Sequence, residues 1–219
     1  LFPYTTLFRS ALSVSLQSHL AGRPLVAVAH RVVHGGAHYT CSVRVTPQVL
    51  HDLAQLNSLA PLHQPHNLAG IEAFAQAFPH LPQIACFDTA FHTTVPPKEQ
   101  QFALPQALTQ QGVRRYGFHG LSYAYLMEEL QRLGDPAAQS GRVILAHLGN
   151  GASLAAIRDG RSIDTSMGFT PASGILMGSR SGDLDPGLAI FLSRTEGMNP
   201  AQFHAMTTHQ SGLLGVSGI

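Results

Sequence analysis

The sequence is poor in the groups that most enzymes use for acid–base and metal chemistry. Across 219 residues it has 12 acidic side chains, and Lys98 is its sole lysine. A catalytic carboxylate must come from a short roster, and contacts to phosphate fall mainly to arginine. Tryptophan is absent, and the 2 cysteines, Cys41 and Cys86, lack metal-ligand spacing. They are expected to be reduced, buried thiols in a cytoplasmic protein. A net charge of +1 leaves no electrostatic case for nucleic acid or an anionic membrane as a partner. No apolar run approaches the length of a membrane span, and no basic-then-apolar signal segment stands at the start. Charged residues make up only 11% while hydrophobic residues reach 44%, which argues for a packed core and against disorder.

Glycine and histidine are plentiful, 21 and 13 residues. Residues 1–10, LFPYTTLFRS, fit nothing that follows and are expected to be a foreign leader. The chain stops at the turn-like Val216–Ile219, so both ends are expected to be cut. Leu25–Val33 is apolar and is expected to be a buried strand ended by Gly35-Gly36. Thr40–Val45 alternates and predicts a second strand. Thr46-Pro47 starts a helix, and Asn67 is expected to cap another. Ile84–Phe87 is a short strand running into Asp88. The Pro-rich stretch Pro96–Pro105 predicts a crossover between two parts, 11–95 and 96–219. Ser122–Leu133 is helical, with Leu126, Leu130 and Leu133 on one face and Gly134 as its stop. Asn150-Gly151 and Asp159-Gly160 predict hairpins joining strands 143–148, 153–158 and 161–165. Pro186 and Pro200 open two further helices. Strands and helices interleave, so the class is α/β.

The stretch Val143–Gly187 concentrates chemistry. It has two glycine turns, many small hydroxyls, Arg180 at its centre and Asp183 and Asp185 close by. Backbone N–H groups and hydroxyls around a cation suit a phosphate site. His147-Leu148-Gly149-Asn150-Gly151 is either a tight turn, with Gly151 at positive φ, or a phosphate-binding hairpin. The second glycine, Gly149, favours the hairpin. Arg180 is a loop cation or a group aimed at a transferring phosphoryl. Asp183 and Asp185 suit metal-water contacts or turns, and capping is preferred for Asp185. His30, His34 and His38 have helical metal spacing, but Gly35 and Gly36 break any helix there. Arg31 lies inside an apolar strand, where its charge is costly unless an anion meets it. Asp88 follows a buried strand, at the sheet edge where open α/β sheets bind ligands.

Five blocks carry a resemblance: His30–Gly36, Phe87–His92, Arg115–Gly120, His147–Ser153 and Asp164–Pro186. Together they resemble the acetokinase family, from about residue 12 to the end. The resemblance implies an actin-like, ribonuclease H-like two-domain kinase fold, here incomplete at both ends, with the active site in a cleft and a homodimer formed through the second domain. It implies reversible phosphoryl transfer between ATP and acetate, giving ADP and acetyl phosphate, with Mg²⁺ or Mn²⁺. By motif, Arg31 resembles the substrate-binding arginine and Asp88 the catalytic aspartate. His119 and Arg180 resemble the transition-state stabilisers, and His147, Leu148, Gly149, Asn150 and Gly151 the nucleotide hairpin. Val33, Leu62, Phe118 and Pro171 resemble the pocket for the substrate methyl, and His63 an active-site histidine. The family's metal ligands lie outside this chain. Acetate is already ionised at pH 7, so Asp88 is expected to position a metal-bound water or Arg31 and not to act as a base. Gln64, His66, Leu121 and Tyr123 depart from the commoner Asn, Pro, Thr and His. Missing segments imply a truncated, poorly active form of marginal stability. A propionate or butyrate kinase, or an inactive anion-binding or dimerising fragment, are the alternatives.

Overall fold

The computed structural model describes residues 15, 19–20, 22–61 and 63–219. The proposed leader 1–10 and Leu62 lie outside the described residues. The chain forms two compact units, one of residues 1–35 and 41–87, the other of 36–40 and 88–219.

The first unit is a three-stranded sheet in the order β1-β3-β2, with β1 Val28–Val32, β2 Val43–Arg44 and β3 Gln83–Phe87. β1 runs parallel to β3, with Arg31 opposite Cys86, and β2 runs antiparallel to β3. Between β2 and β3 lie helices α1 (Pro47–Ala54) and α2 (Gln64–Ala77). Thr46 caps α1 by accepting from the Val49 N–H at 3.2 Å, with Pro47 in the first turn. Leu53, Ile71, Val32, Ala85 and Phe87 are fully buried. Gln64 donates to the carbonyls of His34 (3.0 Å) and Leu53 (3.3 Å), tying the chain after β1 to both helices.

Several expectations fail here. The first strand is Val28–Val32, not 25–33, and its burial alternates because successive side chains point to opposite faces of the sheet. Arg31 falls on its exposed side, so the strand imposes no desolvation cost on the guanidinium. The second strand shrinks to two residues. Helix α2 begins three residues before Asn67, and the Asn67 Oδ1 instead accepts from the Val33 N–H at 2.9 Å. Cys41 is exposed and Cys86 half-buried, and both are free thiols.

The second unit is built on the predicted antiparallel meander: β4 Arg142–Leu148, β5 Ala152–Arg158 and β6 Arg161–Thr165. Short helices α3 (Pro97–Gln100) and α4 (Gln106–Gln110) occupy the Pro-rich stretch and the residues after it. Helix α5 (Gly120–Arg132) buries Tyr123 and Met127 against Leu145, Ala155 and Ile157 of the sheet. Leu126 and Leu130 pack at the edge of that core, but Leu133 lies past the helix end and is 70% exposed. Helices α6 (Gly187–Thr195), α7 (Pro200–His209) and α8 (Gly212–Ser217) follow. Pro186 is the cap of α6 and not its first helical residue. Asn199 and Gln202 form a capping box on α7. Among the described residues no helix is long and apolar enough to cross a membrane.

Candidate active site

The two hairpin signals have different outcomes. Asp159 and Gly160 both take positive φ, 51° and 75°, as a two-residue turn between twisted strands requires. Neither Asn150 nor Gly151 does. Leu148 pairs with Ala152 across a three-residue loop, closed by the Gly149 N–H donating to the Gly151 carbonyl at 3.1 Å. Of the two alternatives for this turn, the one with positive φ at Gly151 therefore fails, and a different need explains that glycine. A Cβ at position 151 would stand 3.1 Å from Arg180 Nη1 and 3.5 Å from His119 Nε2. Hydrogen at that position lets a guanidinium and an imidazole close on the loop backbone.

Each of these groups is held from behind. Arg180 Nη1 donates to the Pro171 carbonyl at 2.9 Å. The Arg180 carbonyl accepts from the Met177 N–H at 3.0 Å. The start of α8 braces this segment: the Leu213 and Leu214 N–H groups donate to Met177 and Gly178 carbonyls, both at 2.9 Å. Burial pulls the guanidinium's pKa below its ordinary value, the mark of a cation deprived of water. Gly178 rests on the β4–β5 loop, its N–H donating to the Asn150 carbonyl at 3.3 Å.

His119 is the cap of α5 and sits at φ 61°, ψ 17°, a left-handed conformation costing a non-glycine residue about 1–2 kcal/mol. That backbone turns its ring onto His147, with ring centroids 4.0 Å apart and planes at 19°. His147 Nδ1 meets the Ser122 hydroxyl at 3.1 Å, and His119 Nδ1 meets the Ser153 hydroxyl at 2.8 Å. The preceding carbonyl, Phe118, accepts from His92 Nε2 at 2.9 Å. His92 is buried, and desolvation lowers its pKa to about 4 despite that hydrogen bond and the nearby charge of Asp164. A neutral imidazole with its proton on Nε2 then accepts from the Ser162 hydroxyl at Nδ1, 2.9 Å away.

The second unit thus brings together His119, His147, Gly149, Asn150, Gly151, Pro171 and Arg180, with Leu148 beside them on an exposed strand end. Phe118 is buried directly before His119, and Asp88 is buried with its carbonyl accepting from the Gly120 N–H at 2.8 Å. In the first unit, Arg31 lies on β1, Val33 is buried just after it, and His63 is the cap of α2. Asp183 and Asp185 serve turns: they accept from the Gly174 and Gly187 N–H groups at 2.8 and 2.7 Å. Ser122, Ser153, Gly178 and the α8 brace were given no role by the sequence. The only hint was a Ser at the start of a strand after the glycine loop.

A model of the acetokinase family matches residues 12–219. The chain belongs to that family. An acetate kinase of Rhodopseudomonas palustris is 54% identical over 195 residues, 89% of this chain and 49% of that protein. Among solved structures, a propionate kinase from Francisella tularensis aligns with TM-score 0.91 at 42% identity, over 98% of this chain and 56% of its own. Porphyromonas gingivalis acetate kinase gives 0.85 at 41% identity, over 96% and 55%. The fold is accordingly the actin-like α/β fold of the acetokinase family. The chain spans about half the length of the curated relatives it matches.

Proposed function

We propose that the protein transfers a phosphoryl group reversibly between ATP and acetate, forming acetyl phosphate and ADP. The observation that carries this reading is the convergence of Arg180 Nη1 and His119 Nε2 on the glycine of the β4–β5 loop. Phosphoryl transfer needs charge stabilisation on the equatorial oxygens more than covalent help. A guanidinium and an imidazole N–H beside a glycine-containing loop supply it. In this reading His147–Gly151 cradles the nucleotide phosphates. Arg31 is assigned to the acetate carboxylate, Val33, Leu62, Phe118 and Pro171 to the recognition of its methyl, and His63 to the same substrate. Asp88 orients a water or Arg31 and takes no proton, since acetate is already ionised at pH 7.

The two compact units are taken as parts of the two actin-like domains, and the working protein as a cytoplasmic homodimer. Among the described residues no three His, Cys, Asp or Glu side chains gather into a metal site. Mg²⁺ or Mn²⁺ is assigned to the nucleotide, as its metal complex.

The test is hydroxamate-trapped acetyl phosphate formation from ATP, Mg²⁺ and acetate. Turnover that collapses in Arg180→Ala supports the reading. Turnover unchanged in that variant overturns it, as does absence of both turnover and ADP binding in the unaltered protein. Similarity to a propionate kinase structure favours a second reading with propionate as acceptor. One methylene in an apolar pocket is worth roughly 1–3 kcal/mol, so the ratio of kcat/KM on the two acids decides between them.

A further inference from the structure

Behind His119 lies a buried chain of hydroxyls that the phosphoryl-transfer reading does not use. Tyr123, one turn into α5, is fully buried, and its oxygen lies 2.5 Å from the Ser153 hydroxyl. Ser153, fully buried on β5, lies 2.8 Å from His119 Nδ1. We infer that Tyr123 is a positioning residue, which through Ser153 holds His119 in the tautomer that carries its proton on Nε2. This rests on the reading of His119 as a donor to the transferring phosphoryl.

The polarity of the chain follows from counting protons. The Tyr123 phenol is fully buried, and the Ser153 hydroxyl is its hydrogen-bond partner. A buried phenol left without an acceptor would be costly, so it directs its single proton to Ser153 Oγ. Ser153 has one proton in turn and directs it to His119 Nδ1. An imidazole nitrogen that accepts has no proton of its own, so the neutral ring carries hydrogen at Nε2. Nε2 is the atom beside Gly151 and Arg180. An N–H there adds a second donor to the guanidinium. The opposite tautomer would turn a lone pair toward the same anion.

The surroundings suit a fixed donor. Burial pushes the Tyr123 phenol's pKa up and keeps its proton in place. Its ring packs against Phe91 and His92, with centroids 6.1 and 5.7 Å away. The stacked His147 holds the plane of the His119 ring. A phenol contributes one proton and has no second ring nitrogen, so it leaves the direction of the chain unambiguous.

The experiment reads the tautomer directly. Long-range proton–nitrogen correlation spectra of the ¹⁵N-histidine-labelled full chain are recorded at pH 7.5, with His119 assigned through His119→Asn, a residue tolerant of the left-handed backbone. His119 is expected to show a protonated Nε2 and a bare Nδ1. Tyr123→Phe, which keeps the ring, and Ser153→Ala should each convert this to a mixture of tautomers, while Ser153→Thr restores it. In turnover assays Tyr123→Phe should lower kcat about tenfold with KM for both substrates unchanged. A protonated Nδ1 in the unaltered protein, or a His119 pattern indifferent to Tyr123→Phe, overturns the inference. The spectra need no turnover. A tautomer that follows Tyr123 in a protein without kinase activity upholds the device and rejects the acetate reading.

Discussion

At one end of β5, His119 sets its Nδ1 2.8 Å from the Ser153 hydroxyl; near the other, His92 sets its Nδ1 2.9 Å from the Ser162 hydroxyl on β6. The two histidine–serine pairs are nearly the same in that first contact. They differ in what the second nitrogen meets. His92 spends Nε2 on the Phe118 carbonyl and is sealed in the interior. His119 points Nε2 at the glycine loop, beside a cation. The adjoining turns differ in the same way. Asp159-Gly160 uses glycine for its backbone angle, whereas Gly151 has an ordinary φ and uses glycine for space. A histidine–serine pair or an Asx-Gly step is therefore not in itself a mark of function. What matters is what the remaining atom faces: the Phe118 carbonyl for His92, the glycine loop and Arg180 for His119.

The sharpest way to break this comparison is at Arg180. If the β4–β5 end is the reacting end, Arg180→Ala should lower turnover on the order of 1,000-fold, measured as acetyl hydroxamate. A loss under tenfold would leave that end no more chemical than the other.

The His92 end should respond in stability. Its folded pKa is depressed to about 4 from 6.5. The unfolded chain therefore takes up the proton first as pH falls. The contribution is complete above pH 6.5, declines below it, and is lost as pH falls through about 4. Its size is on the order of 3 kcal/mol. Urea unfolding between pH 4.5 and 7.5 should show this slope, flattened in His92→Gln. An unchanged slope in the variant would mean that His92 is not the neutral buttress described.

Gly151→Ala should cost about 100-fold in turnover by displacing Arg180 and His119, with the urea midpoint nearly unmoved. A fall in stability with turnover retained would reverse the assignment of the two glycines. Gly160→Ala, at φ 75°, should do the opposite: about 1 kcal/mol of stability lost and turnover intact.

The meander was legible because its strands alternate and its turns carry Asx-Gly steps, signals that act within ten residues. Thr46-Pro47 announced α1 for the same reason: cap and proline act on the first turn alone. Other local signals were overridden. Asn67 looks like a helix cap, but its side chain bonds Val33, 34 residues away. Leu25–Val33 has the composition of a buried strand, yet the strand is Val28–Val32 and its alternate residues Ala29 and Arg31 are exposed.

The sequence alone determined the family, because five blocks carry its pattern in order, and it offered candidate arginines, histidines and glycines for a site. Tertiary structure decided how those groups meet. Gly151's purpose, Arg180's brace by α8 and the proton chain from Tyr123 through Ser153 to His119 each depend on contacts between residues 29 or more positions apart. Hydrogen-bond direction and desolvation depend on which atoms the packing brings within about 3 Å, and no periodicity along a chain records that.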